Sequence, residues 1–405
     1  MGAFAIAGLW IVAAMQSSPV TPVKASISDR LVMLGRSPAF HATVDGHDAL
    51  LELDTGSFEL RLSPEFATKN GIDPNSVKLK IADQPELAIK PVVEALEEPD
   101  VPTLADRLIP RADGILGLDV LRRYAVGVDL TSRHIQFWPG GKVGADFARK
   151  WSSSGSFSAD PLFVKLDLTT RNPEDWYRIQ AKVNNHPIEL IFDTGTAVSS
   201  VNPSLVQKLS LRKVADTEVE EIGKNVVLPV VAADSIAFGP LTADFPILNV
   251  EDADDPDSDG ILGTEALGQG KYIIDMPDLK LYIRRDSKAT YGNPFEQRLR
   301  LAGLDIFPDS RNRLLALVQP GSQADKAGIR SGDEVVYIGK LGVQDFDPRA
   351  LDGDPAATAR MVRLGLPLLQ RNLTITFARP DGAHIVLPLP TLDGNKKTGR
   401  AGLER

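Results

Sequence analysis

The 405-residue chain contains no cysteine. Disulfides, thiolate nucleophiles, cysteine-ligated metal clusters and a lipid-modified N-terminal cysteine are therefore excluded, and the chain is compatible with any redox compartment. Positive charge is in deficit: 45 Lys and Arg face 54 Asp and Glu, for a net charge of −9 and a pI near 5.2. With no basic stripe, a nucleic-acid partner is not expected. No apolar run reaches the about 20 residues of an ordinary spanning helix. The uncharged run from Gly2 to Met15 is too short for that and lacks a basic leader. It suits the apolar region of a secretory signal, with "VAAMQSS" as a small-residue cleavage zone. Residues 1–24 are thus expected to be a signal peptide or a retained N-terminal anchor, and the protein to be exported (periplasmic or secreted). The plainer alternative is a buried N-terminal helix or strand. Hydrophobic content of 43% and charged content of 24% are those of a soluble globular protein, with length for two to four domains.

The chain repeats itself. Val44-Asp-Gly-His47 matches Val183-Asn-Asn-His186 at an offset of 139, which also joins Asp54 to Asp193, Gly56 to Gly195 and Ser63-Pro64 to Asn202-Pro203. Further on, "DGILGLDVL" (113–121) matches "DGILGTEAL" (259–267) at an offset of 146, kept by Val128-Asp129 and Ile274-Asp275. The two offsets imply one insertion of about seven residues between these features. Two copies of one unit predict two lobes, at 25–145 and 161–290, joined by a Gly/Ser-rich linker at 146–160. Alternating runs around Asp/Asn-Gly/Asn turns read as β-hairpins. A short helix is expected after each acid, capped by Ser63-Pro64 and Asn202-Pro203, and another near Val120–Tyr124 and Ala266–Gly268.

In both copies an apolar strand ends on an aspartate: "LELDTGSFEL" (51–60) and "LIFDTGTAVS" (190–199). A single Asp-Thr-Gly is a common turn; two at matching places in a duplicated unit are candidates for one site. Each copy adds a second element, Ile115-Leu116-Gly117 and Ile261-Leu262-Gly263. This pairing closely resembles the retropepsin-like aspartic proteases over roughly residues 30 to 285. The resemblance implies a mainly β chain of two pseudo-twofold-related barrel lobes, with Asp54 and Asp193 as the catalytic pair and no cofactor or metal. It also implies that Thr55 and Thr194 lock the two loops together, and that Ser57 and Thr196 donate hydroxyl hydrogen bonds to the outer carboxylate oxygens. Independently of it, two carboxylates across a twofold axis share a proton and can activate a water between them. Gly56 and Gly195 leave them room.

Proteases of this type close hairpin flaps over the substrate. Repeat 1 has no glycine between Gly71 and Gly114, whereas repeat 2 offers Gly223 in "EEIGKNVVLPV" as a flap candidate. "DPDSDGILGTE" (255–265) approaches an EF-hand loop, but its glutamate falls one position early and Gly260 belongs to the repeat, so the acidic run reads as a solvated loop. His47 and His186 recur beside hairpin turns without a second ligand and read as structural.

The third region (298–392) resembles a PDZ domain of the bacterial protease type, most clearly in "SQADKAGIRSGDEVVYIG", with Ala302, Gly303, Leu304 and Asp305 as the carboxylate-binding loop and a polar tail at 393–405. The resemblance implies capture of a peptide C-terminus on a sheet edge. The expectation is a monomeric aspartic endopeptidase acting on extended polypeptide, with apolar side chains favoured beside the cut. Its rival is a catalytically silent peptide-binding scaffold.

Overall fold

In the computed structural model, the strands Tyr124–Asp129 and Lys271–Asp275, each following one of the Ile-Leu-Gly elements, pair antiparallel at the centre of a run of six strands within a 13-stranded sheet. Gly127 sits opposite Ile273. These positions are related by the repeat offset itself, so the pseudo-twofold axis passes through that pair. His134–Pro139 and then Asp29–Leu34 extend the sheet on one side, and Lys280–Arg284 and then Phe163–Asp167 on the other. The structure describes residues 29–94, 111–141, 163–284, 294–343 and 373–391, apart from short breaks at 35–36, 131, 222–223, 245, 254, 268–269, 309–312 and 380. The expected signal segment, linker and tail lie outside the described residues.

Each half folds by the same local rules. In Ser37–Val44, Phe40, Ala42 and Val44 are turned to the core while His41 is exposed, the period of a half-buried strand. Its return to His47–Leu53 uses Asp45 and Gly46, both at positive φ (49° and 85°). The twin hairpin uses Asn184 and Asn185 at 50° and 64°. Two consecutive positive φ values make the tight turn whose twist suits a hairpin, and they explain the Asp-Gly and Asn-Asn choices. His47 and His186 each pair with the valine across their own turn.

The helices depart from expectation in two ways. Ser63 caps Pro64–Asn70 by accepting from the Phe66 N–H at 3.1 Å, but Asn202 does not cap its twin Pro203–Leu209. Its amide instead donates to the Ser258 carbonyl and accepts from the Ala253 N–H, binding the acidic loop to the lobe. The second helices start two residues early, at Leu118–Leu121 and, as a 3-10 turn, Thr264–Leu267, directly after Gly117 and Gly263.

The seven-residue insertion is the net of two differences. Val44 pairs with Leu79 as its twin Val183 pairs with Ile236, an offset of 157 that the Leu62–Val93 and Val201–Val250 pairs share. The second half therefore carries 18 more residues before this point. They form the long hairpin Arg212–Glu221 with Lys224–Ala232. The first half carries 11 more between Val93 and Gly114, mostly outside the described residues.

One hydrophobic core runs through both halves, with Leu51, Leu53 and Leu116 matched by Leu190, Phe192 and Leu262. The third region has its own core (Phe295, Leu299, Ile306, Val335, Phe377) under a separate sheet of six strands. It begins at the helix Pro294–Ala302, earlier than expected, because Phe295 and Leu299 are core residues. That helix lies against the hairpin strand Arg212–Glu221, and Arg300 donates to Asn249 of the second half at 2.7 Å.

Candidate active site

Asp54 and Asp193 end the parallel-paired strands His47–Leu53 and His186–Phe192. Leu53 is in register with Leu116 and Phe192 with Leu262, so each Ile-Leu-Gly element runs beside its aspartate strand. The Asp54 N–H donates to Leu116 O at 3.2 Å and the Asp193 N–H to Leu262 O at 3.1 Å. Just beyond, Leu118 N–H binds Ser57 O and Thr264 N–H binds Thr196 O, both at 2.8 Å. Each aspartate loop is thus clasped at both ends. Only glycine fits where the elements cross: a Cβ on Gly117 would lie 2.4 Å from Glu59 O, and one on Gly263 2.8 Å from Thr196 O. Upstream, Asp113 and Asp259, which open the two "DGILG" runs, accept from the Leu50 and Glu189 N–H groups at 2.9 Å.

The two loops meet face to face. Thr55 Oγ1 donates to Phe192 O at 2.8 Å and Thr194 Oγ1 to Leu53 O at 2.7 Å. Each hydroxyl also accepts the other threonine's N–H at 3.0 Å. Both threonines have no accessible surface, so these bonds are made away from competing water. Their effect is to press the carboxylates together. A Cβ on Gly56 would stand 2.5 Å from Asp193 Cγ, and one on Gly195 2.6 Å from Asp54 Cγ.

Within its loop, Asp54 accepts from the Gly56 N–H (2.7 Å), the Ser57 N–H (3.2 Å) and the Ser57 hydroxyl (2.6 Å). Asp193 accepts from the Gly195 N–H (2.8 Å) and the Thr196 hydroxyl (2.7 Å). Burial holds the Asp193 carboxyl well above the usual carboxylate range. The charge of Asp54 and a hydrogen bond to its carboxyl push the same way, against the Thr196 and Gly195 donors. Asp193 nevertheless keeps some accessible surface. Two carboxylates so placed cannot both be charged cheaply. Among the described residues no group of three or more His, Asp or Glu side chains is arranged to hold a metal.

Gly223 lies outside the described residues, although both strands leading to it are described. After its helix the first half passes directly to the short hairpin Val77–Lys80 with Leu87–Ile89, the twin of Ser235–Phe238 with Leu241–Asp244. The long hairpin of the second half thus has no counterpart among the described residues of the first. In the third region, Ala302 closes a helix, Gly303 turns at φ 65°, and Leu304 and Asp305 already belong to the strand Leu304–Pro308 at the sheet edge.

Three features had not been anticipated. Trp176 Nε1 donates to Gly56 O at 2.8 Å, and Ser37 Oγ donates to Gly195 O at 3.1 Å. These donors are themselves 139 residues apart, so the repeat offset held the clue. The acidic run is not simply a solvated loop. Asp255 is buried and bonded to Arg178, itself only 1% exposed, at 2.5 Å, and Arg171 pairs with Asp257 at 3.1 Å. Burial would lift the Asp255 carboxyl, but the Arg178 hydrogen bond and the nearby charges hold it below the usual value.

Residues 179–266 match the family model described as Aspartyl protease. That stretch holds Asp193, the long hairpin and Ile261-Leu262-Gly263. No curated protein matches the chain. Among solved structures, a retropepsin-like aspartic protease from Rickettsia conorii is similar at 21% identity and a TM-score of 0.23, over 30% of this chain and 90% of that one. The second half of this mainly β chain is therefore similar to the aspartyl-protease family over residues 179–266, with Asp193 near the start of the match.

Proposed function

We propose that the chain is an aspartic endopeptidase in which Asp54 and Asp193 form one site. The observation that carries this reading is the mutual approach of the carboxylates, each in the space that a Cβ on the opposite glycine would take. The pair holds one proton, and the burial of Asp193 favours keeping it. A water between the acids gives a proton to the other carboxylate as its oxygen bonds to the peptide carbonyl carbon. The protonated acid hydrogen-bonds the carbonyl oxygen as it gains charge. The tetrahedral species then collapses: the C–N bond breaks, nitrogen takes a proton from the site, and a carboxyl and an amine leave. The hairpin Arg212–Glu221 with Lys224–Ala232 serves as the flap over an extended polypeptide.

The third region, in this reading, is a PDZ domain that recruits peptide beside Leu304–Pro308, the outermost described strand of its sheet, and the N-terminal segment exports or anchors the protein. Incubation with an unfolded protein between pH 3 and 7 tests the catalytic reading. The wild type should cut, and Asp54→Asn and Asp193→Asn should not. No cutting by the wild type would favour the silent peptide-binding scaffold. Full activity in either variant would exclude a shared site.

A further inference from the structure

The two flanks of the acid pair are built alike and filled differently. At the Gly56 flank stand Trp176, whose indole N–H holds Gly56 O, and Phe58, whose ring centroid is 4.6 Å from that of Trp176. At the Gly195 flank the positions 139 residues away are Ser37, whose hydroxyl holds Gly195 O, and Ala197. Two aromatic rings on one flank thus correspond to a hydroxymethyl and a methyl on the other. Trp176 and Phe58 are both partly exposed, so their rings are not spent wholly on the core.

The backbone that carries the indole is also held in place. The Trp176 backbone N–H donates to the Asp175 carboxylate at 2.8 Å, and its backbone carbonyl accepts from Arg178 at 3.1 Å. Arg178 is clamped by Asp175 and Asp255. Burying an arginine with its carboxylates costs desolvation that a packed apolar residue would avoid, so such a network needs a further reason. Among the described residues the first half has no such network: the twin of Arg178 is Ala39 and that of Glu189, another neighbour of Arg178, is Leu50. The ionic clamp stands beside the tryptophan.

We propose that the Trp176–Phe58 pair closes the substrate pocket on the Gly56 flank. The residue on that side of the bond held over the acids must then be small, while the Gly195 flank admits a bulky apolar one. This replaces a general preference for apolar residues on both sides with a directional one. It rests on the reading that the two-acid cleft takes an extended peptide.

The test uses two hexapeptides with an uncleavable reduced amide at the centre, one with alanine before and phenylalanine after it, the other reversed. Binding is measured to the full chain. The wild type should bind one at least about tenfold more tightly, since a pocket discriminates even single methylenes by that order. In Trp176→Ser with Phe58→Ala, the ratio should fall to within about twofold. Should that variant fail to fold, Ala197→Phe does the converse, weakening the preferred peptide and sparing the other. Equal binding to the wild type, no binding of either peptide, or an unchanged ratio in a folded variant would overturn the proposal. Cleavage of the corresponding amides is read separately: its absence removes the catalytic reading and leaves the binding ratio to stand or fall alone.

Discussion

Replacing Thr194 by valine keeps the shape of the side chain and removes one oxygen. That oxygen donates to Leu53 O at 2.7 Å and accepts from Thr55 N–H at 3.0 Å, at a residue with no accessible surface. Valine therefore leaves two backbone groups of the opposite loop unpaired, and water cannot reach them. Each such group costs about 1 to 3 kcal/mol, so Thr194→Val should destabilise by about 2 to 6 kcal/mol. Thr194→Ser keeps the hydroxyl and gives up one methyl, which should cost about 1 kcal/mol. The comparison isolates the hydroxyl from the packing. Urea unfolding followed by tryptophan fluorescence is a suitable assay, because all four tryptophans precede residue 177 and the third region is silent to it. Valine and serine variants of equal stability would refute the claim that the crossed hydroxyls hold the loops together.

Other outcomes follow from the same geometry. Gly56→Ala and Gly195→Ala place a methyl within 2.6 Å of the opposite carboxylate carbon, so each should lower kcat by about 100-fold, the scale of a misplacement of about 1 Å. Peptide kinetics would check this, and near-normal kcat would contradict it. Arg178→Ala strands Asp255 and Asp175 without their guanidinium and should cost about 3 kcal/mol or more in the same unfolding assay. Asp275, beside Asp278 in the central sheet, is pushed up to about 6 by burial, above the ordinary range of an aspartate. The folded state thus holds that proton more tightly than the unfolded chain. The resulting stability is complete below about pH 4 and is lost as pH rises through 6. Asp275→Asn removes the loss and should gain on the order of 2 kcal/mol over wild type at pH 7 and little at pH 4; an equal gain at both would contradict the assignment.

The parts of this structure legible in the sequence are those the duplication repeats. Asp54, Asp193, their Thr-Gly neighbours and the Ile-Leu-Gly strands stand at matched offsets because both halves use them for the same local task. Features that break the symmetry were harder to read. Arg178 meets Asp255 across 77 residues, and no local pattern links them. Asn202 matched Ser63 as a cap, yet its longer amide reaches the Ser258 carbonyl instead. The offset of 146 hid an insertion in each half, because only strand pairing tells a net difference from a single one. Trp176 and Ser37 obey the repeat offset but share no chemistry beyond one donor, so identity matching passes over them.

The central claim, that the two acids are one site, is open to a measurement that needs no substrate. The Asp193 carboxyl can be followed by carbon-13 NMR from pH 3 to 9 in the wild type and in Asp54→Asn. Asp54 is among the causes that raise Asp193, so neutralising it should move the Asp193 midpoint down, leaving the part due to burial. An Asp193 midpoint that does not move would mean that the two carboxylates do not sense each other, and the shared site would be contradicted.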